Sequence, residues 1–259
     1  MQSALDFSGK VVIVTGGGKG VGRGISERFL QAGANVAICG RSEPESLPSA
    51  DGREAFFRAL DVRDPDAVQA FVSEVAEHFG RIDVLINNAG GAPYADAATA
   101  SPRFSESIVR LNLLAPLFFA QACNAVMQQQ ESGGSIVNIA SVSAQRPSPG
   151  TAAYGAAKAG LMNLGTSLAV EWAPKVRCNT IIAGLIRTEQ SHLHYGDEAG
   201  IAAVGQTIPM GRMAVPQDIA DACLFLASDM ASYVSGASLT VHGGGEKPAF
   251  LDAANTDNK

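Results

Sequence analysis

The sequence predicts a single α/β domain, in which a doubly wound, parallel seven-stranded sheet carries helices on both faces. Short β-branched runs alternate with longer amphipathic runs over the whole chain. Several short runs are apolar on both faces, which is typical of parallel strands covered by helices on either side. The length of 259 residues is one that a single hydrophobic core still supports.

Seven short segments rich in Val, Ile and Phe are predicted as strands. In chain order they are VVIVT (11–15), NVAIC (35–39), AFFRALD (55–61), VLINN (84–88), SIVNIA (135–140), VRCNTIIA (176–183) and SLTVH (238–242). Helical periodicity fills the intervals. Every fourth residue from 21 to 29 is apolar, and Gly33 follows as a stop signal. Asp64 and Pro65 are typical of an N-cap and a first turn, and the apolar stripe after them runs to Gly80.

Two segments depart from the alternation of strands and helices. No strand pattern is visible from residue 185 to 215, and an irregular segment that long within a compact domain is predicted to be a substrate lid. The polar residues from about 252 to 259 are predicted to form a flexible tail. Residues 1–259 are therefore expected to form one domain with a lid and a tail.

Composition and charge exclude several classes of function. Apolar residues make up 46% of the chain and charged residues 17%. The formal net charge is −6, and acidic and basic residues are interspersed along the chain, which argues against nucleic acid or an anionic membrane as a partner. The first ten residues lack the pattern of a signal peptide, and polar residues and a proline interrupt the most apolar segment, 111–127. The widely spaced cysteines predict structural thiols and a cytoplasmic protein. They are Cys39, Cys123, Cys178 and Cys223.

The first predicted strand runs into a glycine-rich turn, TGGGKGVGRG (15–24). A phosphate-binding P-loop is excluded, because Ile13 and Gly20 stand where that motif needs a glycine and a Ser or Thr. The pattern G-x-x-x-G-x-G fits from Gly16, directly at the strand end, and also fits from Gly18. Such glycines let the backbone approach a pyrophosphate at a helix N-terminus. Tight packing between strand and helix is the alternative explanation.

The segment AAYGAAKAG (152–160) places Tyr154 and Lys158 four residues apart, and therefore on one face of a helix. A free tyrosine has a pKa near ~10, and a nearby ammonium group favours the phenolate. The pair is thus suited to proton transfer, and the small residues around it leave room for a cofactor. The alternative is an exposed pair without a catalytic role.

Several of these motifs together resemble the classical short-chain dehydrogenase/reductase family. They are TGGGKGVG, NNAG (87–90), Asn112 within LNLLAP, and SIVNIAS followed by YGAAK. The resemblance covers essentially the full chain, with the motifs in the family's order and spacing. It implies a Rossmann-type fold and hydride transfer between a nicotinamide and a carbonyl or secondary alcohol carbon.

The resemblance assigns a role to each of four catalytic residues. Tyr154 gives or takes the proton of the substrate oxygen, and Lys158 lowers the pKa of Tyr154 and grips the nicotinamide ribose. Ser141 orients the substrate oxygen, although Ser143 lies on the same strand face and is the rival candidate. Asn112 holds a water molecule that continues a proton relay from Lys158.

The resemblance also implies a set of cofactor contacts. Asp61 and Val62 match the positions that hold adenine, although an ordinary aspartate before a helix remains the alternative. Ile186 and Thr188 match the stretch that clamps the carboxamide. The complete set is Gly16, Gly18, Lys19, Gly20, Val21, Gly22, Arg41, Asp61, Val62, Asn88, Ala89, Gly90, Tyr154, Lys158, Ile186 and Thr188.

The end of the second predicted strand indicates which nicotinamide is used. NAD-specific folds place a carboxylate there to bind the adenosine ribose, whereas this chain has Gly40 and then Arg41. An arginine can fork onto the additional phosphate of NADP, and Lys19 supplies a second positive charge. We therefore expect NADP(H) to be preferred over NAD(H). The alternative is that both cations are solvated bystanders.

Three further expectations concern metal, histidines and assembly. His192 and His194 have no carboxylate or cysteine partner in the sequence, so no metal site is expected and both are interpreted as lid residues. His242, where the family has an aspartate, is expected to be structural. The helices around 104–128 and 151–172 are apolar or small on most faces, which requires a second packing partner. In the family that partner is another subunit, so a homotetramer is expected.

The functional prediction is an oxidoreductase with a small-molecule substrate, most similar to a reductase of 3-oxoacyl thioesters. A dehydrogenase of alicyclic or steroid-like alcohols is the alternative within enzymes. A non-catalytic dinucleotide sensor is the alternative from another class, since a fold does not fix a function. The catalytic set argues against the sensor, because a sensor has no need of it.

Overall fold

A computed structural model describes residues 5–253, and within them the seven predicted strands form one parallel sheet. The strands are β1 Val11–Thr15, β2 Asn35–Gly40, β3 Phe56–Ala59, β4 Val84–Asn87, β5 Gly134–Ser141, β6 Val176–Ala183 and β7 Ser238–Val241. Their order across the sheet is β3-β2-β1-β4-β5-β6-β7, and every neighbouring pair is parallel. The predicted fold class is confirmed.

The strand order creates a crevice at one edge of the sheet. From β1 the chain moves outward to β2 and β3, and then returns to the other side of β1 to form β4. The connections after β1 and β4 therefore leave the sheet in opposite directions. In open α/β sheets, ligands bind at the carboxyl ends of the strands at such a reversal.

Helices follow most of the strands. They are α1 Gly20–Gln31, α2 Pro65–Phe79, α3 Pro102–Val109, α4 Ala115–Met127, α5 Ala152–Trp172, α6 His192–Tyr195, α7 Glu198–Gln206, α8 Pro216–Ala227 and α9 Ala249–Ala253. A π-helical turn, Arg110–Leu114, joins α3 to α4. Short 3₁₀ turns occur at Val142–Ala144 and Asp229–Ala231. A two-residue hairpin, Ser49–Ala50 with Arg53–Glu54, was not predicted.

The predicted stop signal of α1 and the predicted start and stop signals of α2 are confirmed. The Asp64 carboxylate accepts hydrogen bonds from the backbone N–H groups of Asp66 and Ala67, which satisfies the first turn of α2. Gly80 ends that helix with a φ of 77°, a conformation that glycine adopts without steric cost. Gly33 follows α1 with a φ of 92°.

The strands are apolar on both faces because helices cover the sheet on both sides. Val11 and Ile13 of β1 pack into the layer with α2 and α4, whereas Val12 and Val14 pack into the layer with α1 and α8. Alternating residues of one strand thus serve two cores. The four cysteines are free and buried, and burial raises the pKa of the Cys39 thiol to about 12.

The helical run Pro102–Met127 has 26 residues and is, by length and composition alone, apolar enough to cross a membrane. The sequence prediction considered only residues 111–127, so the continuous helix is longer than expected. Core helices of globular domains pass the same test. Phe119, Cys123 and Met127 of this run are buried in the core between the sheet and the helices α2 and α4.

The predicted lid, residues 185–215, contains α6 and α7 and a single bridge between Ile186 and Ala214. It carries its own small apolar cluster, formed by Ile201, Ile208 and Met213. Of the tail predicted from about residue 252, the first two residues end α9, and the rest lies outside the described residues.

Candidate active site

A cleft of about 610 Å³ opens at the carboxyl edge of the sheet, at the reversal between β1 and β4. Its volume lies within the range of roughly 300–1,000 Å³ that is typical of cofactor sites. Every predicted cofactor and catalytic residue except Asn112 lines it. They are Gly16, Gly18, Lys19, Gly20, Val21, Gly22, Arg41, Asp61, Val62, Asn88, Ala89, Gly90, Ser141, Tyr154, Lys158, Ile186 and Thr188.

The glycine turn supports the register that begins at Gly16. Gly16 and Gly20 have φ values of 63° and 50°. A Cβ atom at Gly22 would lie 2.2 Å from the Gly16 carbonyl oxygen, so only glycine fits the turn. Gly24, which belongs to the rival register, instead lets α1 approach Pro216 of α8. The turn thus brings bare backbone to the N-terminus of α1, which suits the diphosphate of a dinucleotide.

In this structure a carboxylate from the lid contacts that helix N-terminus. The backbone N–H of Gly20 donates to Oε1 of Glu189 at 3.0 Å. The positive end of the helix dipole favours this negative charge. A carboxylate and a phosphate would compete for the same N–H, so the side chain of Glu189 must move before a diphosphate can use it. Nothing in the local sequence indicated this contact between residues 169 positions apart.

The segment after β4 is tied to the end of β1 by side-chain hydrogen bonds. The Thr15 hydroxyl oxygen accepts from the backbone N–H groups of Asn88 and Ala89, at 3.0 and 2.9 Å. The Asn88 amide donates in return to the Thr15 carbonyl oxygen at 2.9 Å. The two sides of the crevice are therefore locked together beneath the cleft.

Asn87 is a structural residue that the sequence reasoning missed. Its buried amide donates to the carbonyl oxygen of Pro116 at 3.1 Å and to Oδ1 of Asn138 on the neighbouring strand at 2.9 Å. It thereby joins β4 to β5 and α4. The available signal was a polar residue at a position of β4 whose alternate neighbour, Leu85, faces the apolar core.

Lys158 lies at the floor of the cleft and is 2% exposed. Its ammonium group donates to the carbonyl oxygen of Ile139 in β5 at 2.7 Å and lies 5.7 Å from the centre of the Tyr154 ring. Ser141, at the end of the same strand, lies close enough to Tyr154 to oppose the rise of its pKa. Ser143 does not line the cleft; its backbone N–H donates to the Ser141 hydroxyl oxygen at 3.2 Å. The structure thus brings Ser141, Tyr154 and Lys158 together.

The small residues of α5 allow this approach. A Cβ atom at Gly155 would lie 2.8 Å from the Ser143 carbonyl oxygen, and one at Gly165 would lie 2.8 Å from the Thr180 hydroxyl. At Gly155 the helix therefore packs directly on the 3₁₀ turn that follows β5, and at Gly165 it packs on β6. The sequence reasoning attributed the small residues of 152–160 to room for a cofactor; at Gly155 the missing side chain instead permits close packing.

Asn112 lies in the π-helical turn Arg110–Leu114, which precedes Pro116. It is fully buried behind the cleft. Its amide donates to the carbonyl oxygens of Gly91 and Ile108, both at 2.9 Å, and its oxygen accepts from the Gly91 backbone N–H at 2.8 Å. Asn112 therefore fixes the backbone next to Gly90. That glycine separates Asn112 from Lys158, since a Cβ atom there would contact both side chains.

Burial has the largest effect on the pKa values of Tyr154 and Lys158 in the chain alone. It raises the pKa of Tyr154, while the nearby Ser141 side chain opposes that rise. It also lowers the pKa of Lys158 to about 8, because the interior disfavours an ammonium ion. The sequence reasoning expected Lys158 to lower the pKa of Tyr154. In the described chain the larger effect on the phenol is desolvation, and it acts in the opposite direction.

The far end of the cleft is positively charged. Lys19 and Arg41 are exposed and line it, whereas Glu43, the next acidic residue after β2, does not. Asp61 is held by a two-pronged interaction with Arg63, whose hydrogen bonds lower the pKa of the Asp61 carboxyl to about 2. The Asp61 carboxylate is thus ionised but already engaged by a side chain.

The histidines of the lid lie on α6. Nδ1 of His192 is 3.0 Å from the carbonyl oxygen of Glu189, and the His194 ring lies beside Tyr195. Among residues 5–253, no group of three or more His, Cys, Asp or Glu side chains is arranged to hold a metal ion.

A second cavity of about 340 Å³ adjoins the catalytic end of the cleft, and Gly184 lines both. Its polar lining comes from Gln145, Arg146, His242 and Glu246. Sequence reasoning missed Gln145, Arg146 and Glu246, and interpreted His242 as structural. Only the unusual residue at position 242 was a signal.

Comparisons with known proteins agree with this geometry. A family model described as enoyl-(acyl carrier protein) reductase matches residues 16–246. The L-rhamnose 1-dehydrogenase (NAD(P)(+)) of Sphingomonas sp. strain SKA58 is 36% identical over 92% of this chain and 96% of that protein. The 3-oxoacyl-(acyl-carrier-protein) reductase of Chlamydia trachomatis is 35% identical over 91% of this chain and 96% of that protein. The ligand-free aldohexose dehydrogenase structure from Thermoplasma acidophilum is 32% identical, with a TM-score of 0.86 and 98% coverage of both chains.

The buried ammonium group predicts a pH-dependent effect on stability. Because the folded pKa of Lys158 is depressed to about 8, the folded state binds fewer protons than the unfolded state between that pH and the unfolded pKa of about 10.5. Wild-type stability should therefore rise with pH in this window relative to Lys158→Met. Urea denaturation at each pH measures the free energy of unfolding of both proteins. The free energy of unfolding of the wild type should rise, relative to that of Lys158→Met, by about 2–3 kcal/mol between pH 7 and pH 10.

The matched comparison for that experiment is Lys19→Met, because the Lys19 side chain is exposed. If the difference in free energy of unfolding between Lys158→Met and the wild type stays constant with pH, the burial of an ammonium group at this position is contradicted.

Proposed function

The chain belongs to the short-chain dehydrogenase/reductase family, and from that premise we propose that it is an NADP(H)-dependent oxidoreductase with Tyr154 as its acid–base residue. As a member of the family it acts on CH–OH and C=O groups with a nicotinamide cofactor. The single observation that supports the catalytic assignment is the convergence of Ser141, Tyr154 and Lys158 at one end of the cleft. A dinucleotide sensor would have no use for a buried ammonium ion beside a phenol.

The residues of this chain divide the chemistry among themselves. The glycine turn and the N-terminus of α1 would hold the diphosphate, and the cleft floor at Lys158 would hold the nicotinamide ribose. When bound, the oxidised nicotinamide supplies the hydride acceptor and a positive ring charge that favours the phenolate. Tyr154 takes the proton of the substrate hydroxyl in oxidation and returns it in reduction, while the Ser141 hydroxyl orients the substrate oxygen.

Lys158 and Asn112 act behind the phenol. The Lys158 ammonium group uses one of its three N–H donors on the Ile139 carbonyl, which fixes its direction within the floor of the cleft. Asn112 supports that floor through its three hydrogen bonds to the backbone of Gly91 and Ile108. The proposed water relay from Lys158 would pass Gly90, the residue that lies between the two side chains.

The relatives share the reaction type and differ in substrate. One is named for a 3-oxoacyl thioester, and two are named for sugars. The sequence prediction of a thioester reductase and its alternative, an alicyclic or steroid-like alcohol, therefore depend on residues outside the catalytic set. A screen of ketones and alcohols that follows the absorbance of the reduced cofactor tests which substrate class is used.

The catalytic assignment predicts the effect of Tyr154→Phe. Removing the hydroxyl removes the proton donor, so turnover should fall by at least about 100-fold while the fold and cofactor affinity are retained. Steady-state kinetics and fluorescence titration with NADPH measure the two effects. Tyr233→Phe, at a fully exposed tyrosine, is the matched control. Turnover of Tyr154→Phe at the rate of the control would refute the assignment.

The proposed cofactor preference relies on Arg41 and Lys19. Two charge-assisted contacts of about 1.5–3 kcal/mol each, reduced by solvent screening, should favour NADP over NAD by at least about tenfold in kcat/KM. Arg41→Asp should abolish or reverse that ratio, because the carboxylate repels the additional phosphate. Arg103→Asp, on the surface of α3 and outside the cleft, controls for the change in net charge. Equal kcat/KM values for the two cofactors in the unmodified protein would contradict the proposal.

We also propose a cytoplasmic homotetramer. The four buried free thiols support a reducing compartment. Leu117 and Phe118 of α4 are only partly buried, and Val170 of α5 is 80% exposed, so both helices present apolar surface that a second copy would cover. Light scattering at micromolar concentration should report four times the mass of the chain. The mass of a single chain would refute the assembly.

A further inference from the structure

The second cavity provides a place for the substrate beside the catalytic groups. Gly184 lines both the cleft and this cavity, and Val142 of the cavity directly follows Ser141 in the chain. A molecule in the cavity therefore lies next to the residue that orients the substrate oxygen. The volume of about 340 Å³ lies at the lower end of the range for small-molecule pockets, roughly 300–1,000 Å³. The cavity suits a compact molecule.

The polar groups of the cavity offer donors and acceptors of balanced charge. Arg146 donates to the carboxylate of Glu246 in an ion pair whose side chains are 38% and 39% exposed. The pair is thus accessible rather than sealed in the protein. Gln145 adds an amide, which both donates and accepts, and His242 adds an imidazole. The formal charges of the pair cancel, so the lining does not favour an ionic substrate.

His242 is accessible because glycines surround it. A Cβ atom at Gly184 would lie 2.7 Å from the Cβ of His242, and one at Gly245 would lie 3.2 Å from its Nε2 atom. Side chains at these positions would displace or cover the imidazole. The residue that the sequence reasoning interpreted as structural therefore has its ring beside a glycine loop at the cavity.

We propose that this cavity selects a compact, neutral, polyhydroxylated carbonyl compound or the corresponding polyol as substrate. The inference rests on the proposed oxidoreductase function and specifies its substrate class. Each substrate hydroxyl both donates and accepts, and so pairs with the carboxylate, guanidinium, amide and imidazole groups described above. Gln145, His242 and Glu246 are assigned as specificity-determining residues.

The same groups disfavour the two substrate classes that the sequence suggested. Val142, Leu185 and Ile208 also line the cavity. An acyl chain or a steroid that contacts them would still cover the ion pair and two polar side chains without replacing their hydrogen bonds to water, which is costly. A site built to hydrogen-bond hydroxyl groups rejects analogues that lack them more strongly than an apolar pocket rejects an added hydroxyl.

The test compares polyols and sugars with hydroxyl-poor substrates on the full chain with NADP(H). The panel contains tetritols, pentitols, hexitols and the corresponding aldoses and ketoses, with cyclohexanol and an acetoacetyl thioester as the hydroxyl-poor set. The best polyhydroxylated compound should exceed every hydroxyl-poor compound by at least about tenfold in kcat/KM. Calorimetry should detect its binding to the complex of the protein with the cofactor.

Two variants test the assignment of residues. Glu246→Gln and His242→Leu should each raise the KM for that compound about tenfold. The NADPH affinity from fluorescence titration should change by less than about twofold, because neither residue lines the cofactor cleft. Glu74→Gln is the matched control, because Glu74 pairs with Arg58 in another ion pair of similar exposure, away from both cavities. This control should leave every parameter unchanged.

The outcomes separate the two levels of the proposal. Turnover of cyclohexanol or the thioester without turnover of any polyhydroxylated compound would overturn the inference and leave the oxidoreductase standing. Variants that bind and turn over the polyhydroxylated compound as the wild type does would overturn the residue assignment and, with it, the inference. Failure to turn over every compound, despite NADPH binding, would overturn both the inference and the proposed function.

Discussion

The burial of one ammonium group constrains the arrangement of the whole site. Lys158 is almost fully buried, and a charged amine in the interior is tolerated only when a polar partner is within reach. The partner is the Ile139 carbonyl oxygen of β5, so α5 has to lie close to the sheet. Gly155 and Gly165 permit that approach, because no Cβ atom separates the helix from the backbone or the side chains below it. The alanine- and glycine-rich composition of α5 is thus explained by the close packing that the buried Lys158 ammonium group requires.

The opposite wall of the cleft depends on a different device. Here polar side chains satisfy the backbone of neighbouring loops, as Thr15 does for Asn88 and Asn112 does for Gly91. These bonds are buried or partly buried, and they make the wall rigid before any ligand arrives. The contact between Glu189 and Gly20 is exposed by comparison, and it joins the glycine turn to the lid. The hydrogen bonds of Thr15 and Asn112 therefore fix the wall of the cleft, whereas the Glu189–Gly20 contact can be replaced by a ligand.

The proposed catalytic residues and the proposed specificity-determining residues lie on different parts of the fold. Of the proposed catalytic residues, Ser141 stands on β5, Tyr154 and Lys158 stand on α5, and Asn112 stands in the buried π-helical turn, where packing restricts change. The polar groups of the second cavity stand on loops after β5 and β7, at Gln145, Arg146, His242 and Glu246. Loops on a rigid scaffold can vary without loss of the core. Such a division would account for relatives of similar identity that are named for a sugar and for an acyl thioester.

Local patterns in the sequence determined the strands, the first two helices, the glycine turn and the pairing of Tyr154 with Lys158. Each of these follows from periodicity or spacing within a few residues, which the chain expresses wherever it folds. The tertiary structure alone decided the contacts between distant segments. Arg146 meets Glu246 across 100 positions, and Glu189 meets Gly20 across 169. It also decided that burial raises rather than lowers the pKa of Tyr154 in the chain alone, since desolvation depends on everything packed around a group. Such quantities are sums over neighbours in space, and a linear pattern does not contain those neighbours.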